Sequence, residues 1–211
     1  MPTDEPIVYV VDDDVSIRDS LSLLLQSAAY DVQTFASAKE FLDAVTDLQR
    51  PACLISDVKM PGISGLDLQD ELEAAACPLP MIFITGHGDI PMSVKAIKKG
   101  AVEFLPKPFD DGTLLAAVKE ALTKGEQNLT RHNEKSHIRQ RLDTLTPRER
   151  EILTYLIAGL LNKQIAYELD IAERTVKAHR KQVMVKMGVD SIAELVRLTE
   201  KAGIKPAGTS P

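Results

Sequence analysis

The chain has no tryptophan, and its four tyrosines and five phenylalanines make up only 4% of 211 residues. None of them interleaves with a run of basic residues, which disfavours single-strand recognition by stacked bases. There are two cysteines, Cys53 and Cys77, and they form no C-x-x-C pair. They suggest neither a metal site nor a disulfide framework, and a reducing cytoplasm is the expected compartment. No run of about 18 apolar residues is present to cross a bilayer, and the acidic opening MPTDEP carries no apolar signal core. Internal repeats and low-complexity tracts are also absent. What is there is an ordinary soluble composition, 44% hydrophobic and 27% charged, in a chain long enough for one large domain or two modest ones, each able to bury a core.

The net charge of −6 conceals a division. Residues 1–123 hold 20 acidic and 9 basic residues, a net of −11, whereas residues 124–211 hold 11 and 16, a net of +5. An acidic half followed by a basic half points to two domains, the second suited to a polyanion.

Periodicity supports the same division. IVYVV (7–11), VQTF (32–35), ACLIS (52–56), MIFIT (81–85) and VEFL (102–105) are β-rich runs, with helical stretches at about 15–29, 37–47, 65–75, 91–99 and 110–123. Alternation of this kind predicts parallel βαβ units in a doubly wound sheet covered on both faces. The unbroken apolar character of the first, third and fourth strands marks them as buried on both sides. SIRD (16–19) has the form of a capping box for the first helix. Residues 124–142 are polar, with 5 basic and 2 acidic residues and no sustained apolar period, and read as a linker that can be helical in part. A small all-α domain over 143–205 follows, with capping boxes at TPRE (146–149) and SIAE (191–194), a helix end at Ala158–Gly159 and Asn162 as a cap for KQIAYEL. Residues 206–211, PAGTSP, read as a frayed tail.

In an open parallel sheet, chemistry collects beyond the carboxyl ends of the strands. Those ends carry Asp12 and Asp13, Asp57, Thr85 and Lys107. Carboxylates without a nearby histidine or cysteine suit a hard cation such as Mg²⁺ or Mn²⁺. A hydroxyl and an ammonium at neighbouring strand ends can donate to phosphoryl oxygens, which makes Asp57 the candidate nucleophile. Taken singly, Asp14 reads as a helix cap, Thr85 as an ordinary strand-end threonine, Lys107 as a solvated surface lysine, Phe104 as core and His87 as a loop histidine.

Asp12–Asp13, SDVKMPGISG (56–65), ITG (84–86) and LPKPF (105–109), in that order over residues 7–123, resemble the CheY-like receiver domain of bacterial two-component response regulators. The resemblance implies a flavodoxin-like, five-stranded sheet of order 2-1-3-4-5. It makes Asp57 the phospho-acceptor, with Asp12, Asp13, Asp57 and the Lys59 backbone carbonyl as the metal site. Thr85 and Lys107 would bind the phosphoryl group, Thr85 and Phe104 would switch between states, and Lys107–Pro108 becomes a candidate cis peptide. TGHGDIPMSVKAIKKGA resembles the FixJ-type branch in particular.

In the basic half, AERTVKAHRKQVMVKMGV (172–189) reads as one helix. Val176, His179, Val183 and Met187 form a buried stripe, and Arg174, Lys177, Ala178, Lys181 and Val185 lie on another face. Five basic and no acidic residues lie between 174 and 186, a suitable charge for a major groove. Residues 145–191 are similar to LuxR-type helix-turn-helix domains, the output domain of FixJ/NarL-type regulators. By that resemblance Lys177, Ala178 and Lys181 face bases, while Lys163, Arg174 and Arg180 meet phosphates. Ala172 departs from the usual serine or threonine cap, which weakens the helix start by about 1 kcal/mol unless Asp170 or Glu173 compensates.

These resemblances imply a non-enzymatic, phosphorylation-controlled transcription regulator, with activation favoured over repression. A sensor histidine kinase would be the donor. The phosphorylated form would pair through its fourth helix, fifth strand and fifth helix, bind double-stranded promoter DNA as a homodimer, and meet RNA polymerase. Two rivals stand beside it. One is an aspartyl-phosphate hydrolase, opposed by Lys59 where a second acid is usual; the other is a DNA-binding protein whose receiver serves only for dimerisation.

Overall fold

The computed structural model describes residues 5–46, 48–86 and 90–208; His87 lies outside the described residues. The chain divides into two units, Met1–Arg131 and His132–Pro211.

In the first unit β1 (Ile7–Val11), β2 (Asp31–Phe35), β3 (Ala52–Asp57), β4 (Met81–Thr85) and β5 (Glu103–Pro106) form one parallel sheet of order β2-β1-β3-β4-β5. The expected order is therefore the observed one. β1, β3 and β4 are buried at every residue, which is why they carry no polar alternation. The two edge strands, β2 and β5, expose part of their length.

Helices α1 (Val15–Ser27), α2 (Ala38–Ala44), α3 (Gly65–Ala74), α4 (Ile90–Lys98) and α5 (Asp111–Asp143) alternate with the strands. Successive strand residues point to opposite faces, so the sheet has two cores. Val11, Leu54 and Phe83 pack with Phe41, Leu68 and Ala96 of α2, α3 and α4. Val10, Ile55 and Ile84 pack with Leu21 and Leu25 of α1 and Leu114 and Val118 of α5. Each such aliphatic burial stabilises by roughly 1.5–3 kcal/mol. Cys53 belongs to the second core, fully buried, and burial pushes its thiol up to about 12.

The first helix begins earlier than SIRD suggests. Asp14, in extended conformation, is the N-cap and accepts from the Ser16 N–H at 2.8 Å. Ser16 is already inside the helix and caps nothing, whereas Asp14 has the capping role expected of it. At the other end of the unit, the segment 124–142 is helical throughout, because α5 continues to Asp143. Its apolar residues are too sparse to show a period, yet each is used: Leu129 is buried in the first unit, and Ile138 and Leu142 enter the core of the second.

The second unit comprises the end of α5 with α6 (Pro147–Ile157), α7 (Asn162–Glu168), α8 (Glu173–Met187) and α9 (Ile192–Lys201) around Ile152, Leu153, Leu156, Ile165, Val183 and Leu195. Thr146 and Glu149 make the expected reciprocal box, at 3.2 and 2.9 Å. Ser191 accepts from Glu194 N–H, but the Glu194 carboxylate reaches one residue further back, to Asp190 N–H. Asn162 is not the cap of α7. Leu161 occupies that position, and the Gln164 side chain accepts its N–H at 2.8 Å, which leaves the Asn162 side chain free to face α8. Ala172 caps α8 with no side-chain hydrogen bond. Of the expected tail, Ala207 N–H donates to Thr154 O at 3.0 Å, while residues 209–211 lie outside the described residues. Among the described residues no helix is long and apolar enough to cross a membrane.

Candidate functional site

Strand order reverses between β1 and β3, and their carboxyl ends open a crevice there. Parallel register brings Val11 opposite Ser56, Asp57 opposite Ile84, and Thr85 opposite Pro106. Asp12, Asp57, Thr85 and Lys107 consequently end their strands along one rim.

Three of the four are buried: Asp12 is 1%, Thr85 1% and Asp57 6% exposed. Carboxylates taken from water need compensation, and Lys107 supplies it. Its Nζ donates to Asp12 Oδ2 at 2.8 Å and to Asp57 Oδ1 at 2.9 Å. The remaining carboxylate oxygens are held by backbone. Asp57 Oδ2 accepts from Lys59 N–H at 2.6 Å, and Asp12 Oδ1 accepts from Asp14 N–H at 2.9 Å. Burial pulls the Lys107 ammonium down, but its hydrogen bonds and charge attraction to Asp12 and Asp57 outweigh this and raise it above its ordinary value. It is therefore charged at neutral pH.

The loop after Asp57 is set by a close approach. A Cβ on Gly65 would lie 2.2 Å from the Asp57 carbonyl oxygen and 2.9 Å from Ser56 Oγ, so only glycine lets α3 start against β3. Gly65 N–H also donates to Val58 O at 3.0 Å. Lys107 N–H donates to Thr85 O at 2.7 Å, and the Lys107–Pro108 peptide is cis. Phe104 is half-buried, with its ring centroid 6.3 Å from that of Phe83. Arg18, which the sequence did not mark out, donates from Nη1 to Asp12 O at 2.7 Å.

Asp13 is exposed and has no hydrogen bond or ion pair among the described residues. Among the described residues, the Asp12 and Asp57 carboxylates offer oxygen at this rim, the donor type that a hard cation such as Mg²⁺ takes. Among the described residues no three histidine, cysteine, aspartate or glutamate side chains form a ready metal cage.

On the second unit Lys163, Arg174, Lys177, Ala178 and Lys181 are all exposed. Lys177 lies 3.0 Å from Glu173, an exposed i,i+4 pair. Arg180 is half-buried and donates to Asn162 Oδ1 at 3.2 Å, tying α8 to α7. Lys186 leaves the basic run: its Nζ donates to Glu149 Oε2 at 2.6 Å and to Thr144 O at 3.0 Å. Val176, Val183 and Met187 form the buried stripe, with His179 half-buried beside them. A groove of about 640 Å³ runs along α8 between Asn162, Lys177, Lys181 and Val185.

Residues 8–119 match the response regulator receiver domain, and residues 143–199 match the bacterial regulatory proteins of the luxR family. The transcriptional regulatory protein FixJ of Bradyrhizobium diazoefficiens is 45% identical over 197 residues, 93% of this chain and 96% of that one. The response regulator protein TodT of Pseudomonas putida is 46% identical, over 92% of this chain and 86% of its own. Among solved structures, the response regulator StyR superposes with a TM-score of 0.72 at 47% identity, covering 93% of this chain and 99% of that one.

Proposed function

Because the chain belongs to the response regulators that join a receiver domain to a LuxR-type DNA-binding domain, we propose that Asp57 is its phospho-acceptor and α8 its recognition helix. The protein regulates transcription by phosphorylation-dependent two-component signalling. The observation that carries the assignment of Asp57 is the single Lys107 ammonium shared between Asp12 and Asp57.

A sensor histidine kinase is the donor. An Asp57 carboxylate oxygen attacks phosphorus, the phosphorus–nitrogen bond of the donor phosphohistidine breaks, and an acyl phosphate forms. Lys59 N–H orients the carboxylate, and Lys107 and the Thr85 hydroxyl donate to the transferred oxygens. Asp12, Asp13, Asp57 and the Lys59 carbonyl would hold Mg²⁺ or Mn²⁺, which offsets the negative charge opposing attack. Two residues beyond Asp57 stands Lys59 and not an acid, so a hydrolase's second carboxylate is missing there.

Receiver domains of residues 1–123 pair on phosphorylation through α4, β5 and α5, with Thr85 and Phe104 as the switch. Ile90, Val94 and Ile97 support this, lying 79%, 45% and 44% exposed on one face of α4. Two recognition helices then meet half-sites about one helical turn apart on promoter DNA, and activation through RNA polymerase follows. Asp57→Asn tests the assignment. Mg²⁺-dependent labelling by acetyl phosphate is expected to vanish, and label persisting on another residue refutes it.

A further inference from the structure

Gly125 stands inside α5, where glycine is among the poorest helix formers. Its surroundings explain it. A Cβ built there would lie 2.3 Å from the Ala52 carbonyl oxygen, and 3.3 Å from the Ala52 carbonyl carbon and nitrogen. Ala52 opens β3 and pairs with Ile7 of β1, and from Leu54 onward the strand is also paired with β4, so the obstacle is strand backbone and not a side chain that can swing aside. One turn on, Asn128 Nδ2 donates to Pro78 O at 3.1 Å, and Leu129 is 9% exposed. The neighbours Lys124, Glu126, Gln127, Thr130 and Arg131 are exposed. Gly125, Asn128 and Leu129 therefore continue the buried stripe of α5 past the expected receiver end at residue 123.

The elements they touch are specific. Ala52 begins the strand that ends in Asp57, and Pro78 lies just before the strand that ends in Thr85. A six-residue strand spans roughly 17 Å and behaves as a stiff rod in a central sheet position. We propose that residues 124–131 are a seated part of the receiver, clamped on the amino ends of β3 and β4. The seat passes movements of these two strands to the chain that leaves the receiver at His132. An approach with no room for a Cβ leaves little slack, so that a shift of β3 along its axis displaces α5. The relay half of this proposal rests on Asp57 and Thr85 being the phosphoryl site.

The test uses the full chain. Helix propensity alone makes Gly125→Ala raise the receiver's melting temperature, whereas the seat makes it lower by several degrees. Hydrogen exchange at 124–131 is expected to become at least tenfold faster in Gly125→Ala, and less so in Asn128→Ala, with β1, β3 and β4 still protected. Affinity for a duplex selected from a random pool is then measured with and without acetyl phosphate and Mg²⁺. The phosphorylation-dependent gain is expected to fall at least threefold in both variants while Asp57 still takes up label. A higher melting temperature with unchanged exchange in Gly125→Ala overturns the seat. Faster exchange with the full DNA response, or loss of label in the variants, overturns the relay. Wild-type protein that takes no label refutes the Asp57 assignment instead, and the exchange data still judge the seat.

Discussion

Lys107 is 21% exposed at its side chain and holds two carboxylates that would otherwise repel each other in a buried rim. Removing it leaves Asp12 and Asp57 without their cation, a loss of about 2 kcal/mol or more for a partly buried ion pair. Lys107→Ala is accordingly expected to lower the urea midpoint of the receiver. Asp12→Asn in the same chain restores part of that loss, because one of the opposed charges is gone; strictly additive effects in the double-mutant cycle refute the shared-cation picture. The sign with pH follows from the raised ammonium. Its contribution is fully present below the ordinary value of 10.5 and is lost as pH rises through the higher folded value. Asp57 and Lys107 were legible in the sequence because strand ends and motif spacing locate them. Arg18 was not, since nothing in a helical pattern says that its guanidinium turns back to the Asp12 carbonyl.

At the scale of elements, the sequence was most informative where a helix is amphipathic and capped, as at Thr146–Glu149, and least where isolated apolar residues do the work. The run 124–142 looked like a linker because Leu129, Ile138 and Leu142 are too far apart to make a period, yet burial of each keeps α5 helical. Charge counting misled in a different way. Lys186 belongs to the basic run by composition but bonds Glu149, a carboxylate 7% exposed at its side chain, and so ties α8 to the start of α6. The hydrogen bond from Lys186, backed by the Thr146 N–H, holds the Glu149 carboxyl below its ordinary 4.5. A depressed acid stabilises above its unfolded value and loses that contribution as pH falls through its folded one. Amide protection in the helical unit, taken relative to the intrinsic exchange rate at each pH, is therefore expected to fall below about pH 4.5. In Glu149→Gln this acid-dependent component should be missing, and an unchanged pH profile in that variant removes the bridge as its cause.

For the molecule as a whole, the division of −11 and +5 between residues 1–123 and 124–211 separates the half that accepts a phosphoryl group from the half that meets a polyanion. Binding to duplex DNA should weaken steeply with salt. Two classes of contact should be separable on the second unit. Lys163→Ala or Arg174→Ala is expected to weaken all sequences alike and to reduce the salt slope by about one per site. Lys177→Ala or Lys181→Ala should cost about 1–3 kcal/mol on a selected site and relax its sequence preference. Identical losses on selected and random duplexes for all four variants would remove α8 as the reading element.

The two cysteines allow a kinetic measurement on the intact chain. Cys77 is half-buried, whereas Cys53 sits in the sheet with no exposed surface and its thiol is pushed up to about 12. Thiolate is the reactive form, so an alkylating reagent can reach Cys53 only when the sheet opens. The slow alkylation of Cys53 is thus an internal clock for receiver opening, with Cys77 as the early-reacting reference. Running it with acetyl phosphate present would time how long the modified domain stays shut.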